Sequence, residues 1–125
     1  MGRQPLFLAL AAASFGLASA AQAQTADPGE QQFNMRCKAC HVMTPGGAPG
    51  PIAPNLRGVV GRKAGTTAYK LYSPALKASN LTWNAATLDK FLTAPTKLVP
   101  GTKMVMAVSD AGQRKALIAW LAKQK

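Results

Sequence analysis

The chain has 125 residues and carries 15 Lys and Arg against 4 Asp and Glu, which gives a net charge of +11 at pH 7. This length excludes a second domain, because another hydrophobic core needs roughly a hundred further residues. The positive residues are scattered singly, which favours a basic face for a protein partner and predicts no nucleic-acid binding.

The first 23 residues have the pattern of a signal peptide. Arg3 gives a basic start, residues 6–17 are apolar, and Ala21-Gln22-Ala23 fits a small-x-small cleavage site. The apolar run is too short to span a bilayer, which takes about 20 residues. We therefore predict a cleaved signal peptide at 1–23, a mature domain at 24–125 with a net charge of +10 after the loss of Arg3, and no stable membrane anchor.

The first predicted helix begins at Pro28. Asp27 can cap it through its carboxylate, and proline is well suited to the first helical turn. The helix is predicted to run into residues 37–41. Gly29 and Phe33 lie one helical step apart, so they share a face with the start of that segment.

Many Gly and Pro residues predict that residues 44–65 form an irregular wrapping loop. Short helices are predicted at residues 74–79 and, after an Asn84 cap, up to about Thr93. Pro95 is predicted to break the helical pattern, since proline lacks the backbone N–H that a helix interior needs.

The last helix is predicted to begin after Asp110, which with Gln113 makes a start signal. Its buried face comprises Leu117, Trp120 and Leu121, and its predicted outward residues are Arg114, Lys115 and Lys123. The chain shows no sustained period-two alternation, so no sheet is expected. The fold class is predicted to be all-α with long loops.

The run Cys37-Lys38-Ala39-Cys40-His41 has the spacing of a covalent haem attachment site. Two thiols three residues apart on a helix project from one side and can bond to one edge of a porphyrin. His41, next to the second thiol, can then bind the iron. The motif predicts one haem c, attached through Cys37 and Cys40, with His41 as a metal ligand.

Three other uses of these residues are disfavoured. A thioredoxin-like redox pair would need a βαβ pattern, which the sequence lacks. A structural zinc site needs four ligands, and the chain has two Cys and one His. A disulfide between Cys37 and Cys40 would strain a helix and leave His41 without a role.

The second axial ligand is expected to be a methionine, because the chain has no second histidine. Met35 and Met43 lie too close to the attachment motif to reach the opposite haem face. Met104 and Met106 remain, and composition does not choose between them.

Several further motifs occur in order along the chain: Gly29-x-x-x-Phe33, Pro54-Asn55-Leu56-x-Gly58, Gly61-Arg62-Lys63-x-Gly65, Leu81-Thr82-Trp83 and Pro100-Gly101-Thr102-Lys103-Met104. With the haem motif, they make the chain resemble class I soluble c-type cytochromes of the mitochondrial and purple-bacterial type over essentially its whole mature length. The resemblance implies a single small cytochrome c domain, with helices and long loops wrapped around one covalently bound haem.

The resemblance also implies roles for individual residues. Met104 would be the second axial ligand, and Met106 a packing residue. Pro54 would support the His41 ring through its backbone carbonyl. The remaining implied haem contacts are Arg62, Tyr72 and Trp83, around the propionates, and Thr102, which helps to hold the methionine loop. Gly29 would allow a close approach of Trp120 from the last helix.

The function expected from these features is single-electron transfer by a soluble, monomeric carrier in the periplasm, not enzyme catalysis. The expected partners are membrane redox complexes or a periplasmic dehydrogenase, which would dock on a basic face at the haem edge. Candidate residues for that face are Arg36, Lys38, Lys97 and Lys103. The alternative is a haem enzyme or ligand sensor, peroxidase-like, with a labile sixth ligand; the absence of a second histidine as a distal acid-base group weighs against it.

Overall fold

The computed structural model describes Gly2 and residues 24–125, so the predicted signal peptide lies outside the described residues except for Gly2. In this described part of the chain five helices occur in order: α1 (Pro28–Arg36), α2 (Pro74–Ala78), α3 (Ala85–Thr93), α4 (Pro95–Leu98) and α5 (Ala111–Lys123). Within residues 24–125 the one β pairing is an isolated bridge between Lys63 and Thr82. The predicted all-α class is therefore confirmed.

Side-chain caps start four of the five helices. The capping residues are Asp27, Ser73, Asn84 and Asp110, and each accepts a hydrogen bond from a backbone N–H of the first turn. Such bonds satisfy donors that have no partner within the helix. At α3 the cap is reciprocal, because Thr87 Oγ1 also accepts from the Asn84 N–H at 2.9 Å. These predicted starts are confirmed.

One predicted helix boundary is wrong. α1 ends at Arg36, and residues 37–41 form a separate turn in which the His41 N–H donates to the Cys37 carbonyl at 2.8 Å. Pro95 breaks the helical pattern as predicted, since α3 ends at Thr93, and it also opens the short helix α4 after Ala94. A proline fits the first turn of a helix because its missing N–H would have no intrahelical acceptor there.

The contact between α1 and α5 depends on Gly29. A Cβ at this position would overlap the Ala116 carbonyl oxygen and Trp120 Cβ, so only glycine permits this approach. One turn later Phe33 packs against Trp120 with ring centroids 5.1 Å apart. The implied close contact between Gly29 and Trp120 is present, and α5 also packs against α3.

The prediction that Arg114 points outward is wrong. Its side chain is buried, with 9% of the residue exposed. Its guanidinium donates to the carbonyl oxygens of Val108 at 2.9 Å and Ser109 at 2.8 Å, and to Asp89 Oδ1 at 2.8 Å. Arg114 precedes Leu117 by three residues and so lies on the same helical face. These bonds tie the loop before α5 to α3.

Long irregular segments join the helices and enclose a cavity. Residues 44–65 contain no helix, as predicted. The segment between α4 and α5 is also irregular, and its Val108 N–H donates to the Leu92 carbonyl of α3 at 2.8 Å. No helix in residues 24–125 has the length and apolarity needed to cross a bilayer.

The α1–α5 contact predicts different effects for two glycine substitutions. Gly29→Ala should lower the free energy of unfolding by about 1–3 kcal/mol, because the added methyl group overpacks the helix crossing. Gly112→Ala, at an exposed position in the first turn of α5, should change it by less than about 0.5 kcal/mol, because the better helix propensity of alanine is offset by a Cβ that would lie 3.2 Å from Oδ1 of the capping Asp110. Urea unfolding of the holoprotein measures both, and a neutral Gly29→Ala would contradict the close contact.

The buried guanidinium predicts a further stability difference. Arg114→Met should destabilise the protein by about 2 kcal/mol or more, since carbonyl oxygens in a buried site lose their donors. Lys115→Met, on the exposed face of the same helix, is the matched control and should change the free energy of unfolding by less than about 0.5 kcal/mol. If urea unfolding gave the two variants the same free energy of unfolding, the hydrogen bonds of Arg114 would make no contribution to stability.

Candidate haem site

A cavity of about 270 Å³ lies between the turn after α1, the wrapping loop, the segment before α5, and helices α3 and α5. Most of its wall is apolar, with Leu88, Phe91 and Leu92 contributed by α3 and Leu117 by α5. The structure brings all of the predicted site residues to this wall. They are Cys37, Cys40, His41, Pro54, Arg62, Tyr72, Trp83, Thr102 and Met104.

The two cysteines reach the cavity from the turn that follows α1. The Cys40 N–H donates to the Cys37 carbonyl at 3.0 Å, which folds the segment back on itself. The two thiols are not joined in a disulfide. Burial raises the pKa of the Cys37 thiol to about 11, so this sulfur is uncharged at neutral pH. An uncharged sulfur in an apolar wall suits a thioether bond to a large apolar ligand.

His41 is held by the wrapping loop. Its Nδ1 lies 2.8 Å from the Pro54 carbonyl oxygen, and because a carbonyl can only accept, Nδ1 carries the proton. Burial lowers the pKa of His41, which keeps the ring neutral near pH 7. A neutral imidazole with its proton on Nδ1 leaves the Nε2 lone pair available for a metal.

A tight turn positions Met104. The Thr102 N–H donates to the Val99 carbonyl at 3.0 Å, and between them Pro100 is followed by Gly101 with a φ of +88°. Proline then glycine is the usual sequence of a turn with a positive φ at its third position. Thr102 is buried at the cavity wall.

The methionines differ clearly in their surroundings. Within residues 24–125, Met104 is the methionine that lines the cavity. Met106 is 45% exposed and Met35 is 67% exposed. Met43 packs against the core away from the cavity wall.

A cationic side chain lies at one edge of the apolar cavity. Arg62 is half-buried and donates to the carbonyl oxygens of Asn55 at 3.0 Å and Arg57 at 3.2 Å. Burial lowers its pKa, because desolvation disfavours the charged form. Neither ion pair found in residues 24–125 includes Arg62. A guanidinium without a carboxylate at a cavity wall suits an anionic group on the ligand.

Two aromatic residues lie near this edge. The Tyr72 hydroxyl is 2.6 Å from Thr67 Oγ1, and Trp83 packs against Phe91 with ring centroids 5.0 Å apart. With the thiols, the imidazole nitrogen and the thioether, this set fits a haem: sulfur for attachment, axial donors, an apolar wall and a cation for propionates. No group of three or more His, Cys, Asp and Glu side chains in residues 24–125 could hold a metal ion by itself.

Two of the four residues predicted for the basic face are hydrogen-bonded to other parts of the protein. Arg36 donates to Gln32 Oε1 at 2.9 Å and to Gln113 Oε1 at 2.8 Å. Lys103 Nζ donates to the Leu71 carbonyl at 2.9 Å. In the described part of the chain, Lys38 and Lys97 are exposed and form no side-chain hydrogen bond within the protein.

One residue next to the site was missed as a functional candidate. Asn55, seen in the sequence only as part of a motif, is 1% exposed and hydrogen-bonded to three segments of the wrapping loop. Asparagine after proline in a loop is a known turn signal, because its side chain can bond to the backbone two residues on. That signal marks a turn and does not reveal which distant carbonyls the amide reaches.

Comparison with known proteins agrees with the site chemistry. The family model described as Cytochrome c matches residues 26–125. Cytochrome c2 of Rhodomicrobium vannielii is 46% identical over 109 residues, which cover 85% of this chain and 86% of that protein. Cytochrome c2 of Rhodoblastus acidophilus is 42% identical over 100 residues, which cover 79% and 92%. The solved structure of cytochrome cH from Methylobacterium extorquens is 43% identical, with a TM-score of 0.68 over 76% of this chain and 94% of that one.

These matches confirm the resemblance, the haem c cofactor and the expectation of an electron carrier instead of an enzyme. The chain belongs to the cytochrome c family of electron carriers, with Cys37 and Cys40 as the attachment residues of its haem c.

Proposed function

We propose that the mature protein, residues 24–125, is a soluble periplasmic carrier of single electrons whose haem iron is ligated by His41 and Met104. The observation that carries the proposal is that both side chains line one cavity, with His41 Nδ1 already occupied by the Pro54 carbonyl. The proposed signal peptide at residues 1–23 supplies the route to the periplasm.

Bound in this cavity, the haem iron supplies a one-electron couple between its ferric and ferrous states. Pro54 holds the proton on His41 Nδ1, which fixes the orientation of the ring. The apolar side chains of α3 and α5 exclude water from the wall. Arg62 would compensate the negative charge of the haem propionates, with Tyr72 and Trp83 on the same cavity wall, and Thr102 would help to hold the methionine loop.

The proposed docking face surrounds the exposed edge of this site. Ile52 and Leu71 line the cavity and are also exposed to solvent, and Val105 and Met106, which directly follow the cavity-lining Met104, are exposed as well. No Asp or Glu in residues 24–125 lines the cavity. An apolar centre with surrounding lysines fits an acidic surface on a membrane redox complex or a periplasmic dehydrogenase.

The ligand assignment predicts a spectroscopic difference between two methionine variants. The wild-type holoprotein should be low-spin and six-coordinate, with the weak far-red absorption of a sulfur-iron bond. Met104→Ala should lose that band, because it removes the thioether at the cavity wall. Met106→Ala, the matched control at an exposed position, should keep it.

Absorption spectra of the oxidised and reduced forms measure this. Loss of the band in Met106→Ala alone would assign the ligand to Met106. A high-spin wild type that binds cyanide or peroxide rapidly would instead support the haem enzyme or ligand sensor with a labile sixth ligand.

The docking face predicts a charge-dependent rate. Lys38→Gln should slow electron transfer to a purified bacterial quinol-oxidising cytochrome complex by about twofold to fivefold at low ionic strength. The substitution removes one positive charge that would pair with an acidic group of the partner. Lys115→Gln, on the exposed face of α5, is the matched control and should leave the rate unchanged. The difference in rate between wild type and Lys38→Gln, measured by stopped-flow kinetics, should disappear as the salt concentration rises. Equal effects of the two variants would contradict the proposed face.

A further inference from the structure

Asn55 is a buried polar side chain whose hydrogen-bonding groups are all used. Its Nδ2 lies 2.9 Å from the Thr44 carbonyl oxygen and 2.9 Å from the Ala48 carbonyl oxygen. Its Oδ1 accepts from the Arg57 N–H at 2.9 Å. The side chain does not line the cavity. It therefore joins three parts of a loop that has no helix or sheet of its own.

The carbonyl that orients His41 belongs to the peptide group between Pro54 and Asn55. That group is planar, so its oxygen moves together with the Asn55 nitrogen and Cα. The proline ring fixes the φ angle of Pro54, which leaves ψ as the main rotation that could turn the carbonyl. Such a rotation must displace Asn55, and its buried hydrogen bonds oppose it.

The other side of Asn55 is also connected to the site. Its backbone carbonyl accepts a hydrogen bond from Arg62 Nη2 at 3.0 Å. Two successive carbonyls, those of Pro54 and Asn55, thus face the imidazole of His41 and the guanidinium of Arg62. The amide of Asn55 is the anchor that these two carbonyls share.

We propose that Asn55 is a positioning residue that holds the Pro54 carbonyl in line with His41 Nδ1 and thereby sets the electron donation of the axial imidazole. This inference rests on the proposed ligation by His41. A strong hydrogen bond from Nδ1 makes the imidazole more basic, which favours ferric iron. Weakening that bond therefore makes the reduction potential more positive.

The test is Asn55→Leu in the holoprotein, which keeps the side-chain size and removes every side-chain hydrogen bond. Its reduction potential should be more positive than that of the wild type. Exchange of the His41 Nδ1 proton, followed by NMR, should be faster by on the order of tenfold. The far-red sulfur-iron band should be unchanged, because no hydrogen bond of Asn55 reaches the methionine loop.

Gln32→Leu is the matched control. Gln32 is also buried, with 9% exposed, and it accepts from Arg36 Nε at 2.9 Å, yet it does not line the cavity and is not hydrogen-bonded to the wrapping loop. Both variants should be less stable than the wild type. Only Asn55→Leu should change the potential and the proton exchange.

A milder variant covers the case in which Asn55→Leu does not fold. Asn55→Ser can still accept from the Arg57 N–H but cannot reach Thr44 and Ala48, so its potential should shift in the same direction. An unchanged potential in the folded variants, or an equal shift in Gln32→Leu, would overturn the positioning role. A wild type without axial histidine signals in its NMR spectrum would instead overturn the proposed ligation.

Discussion

The crossing of α1 and α5 at Gly29 determines where the haem attachment segment lies. Because residues 37–41 leave the C-terminal end of α1, the position of that helix sets the position of both cysteines and of His41. The crossing is narrow, since a single methyl group on Gly29 would meet the backbone of α5. The same α5 supplies Leu117 and Leu121 to the cavity wall. One helix contact therefore places the attachment motif against the apolar surface that a haem needs.

The remaining parts of the site depend on hydrogen bonds that side chains make to loop carbonyls. Asn55 fixes the wrapping loop, Arg62 binds two carbonyls of the same loop, and Arg114 holds the end of the methionine-bearing segment. Buried carbonyl oxygens outside helices and sheets need such donors, because leaving them unpaired is costly. These three side chains therefore donate hydrogen bonds to loop carbonyl oxygens that, in a helix or a sheet, would be paired with backbone N–H groups.

The sequence predicted most reliably what is local along the chain. Asp27, Asn84 and Asp110 each act on backbone groups two or three residues ahead, so their capping role can be read from neighbouring residues. The motif around Cys40 is local in the same way. The burial of Arg114 could not be predicted, because its acceptors lie in a loop and in α3, and their position is set only by the folded chain.

The two methionine candidates show the same limit. Met104 and Met106 are two residues apart, and their spacing says nothing about which one faces a cavity. In the folded chain Met104 lines the cavity and Met106 is exposed, and this difference depends on how the surrounding segments pack. Resemblance to a family favoured Met104 where spacing alone left both open.

The chemistry of the cavity explains why the site suits electron transfer and not acid-base catalysis. The chain has one histidine, and its Nδ1 is committed to the Pro54 carbonyl while Nε2 is the proposed ligand atom. Arg62 holds its proton throughout the physiological pH range despite the lowered pKa, because an arginine starts from a very high value. Tyr72 bonds to Thr67 at the cavity edge. None of these three side chains is therefore free to give and take a proton, whereas an electron carrier needs only an apolar surround, fixed ligands and an exposed edge where a partner can dock.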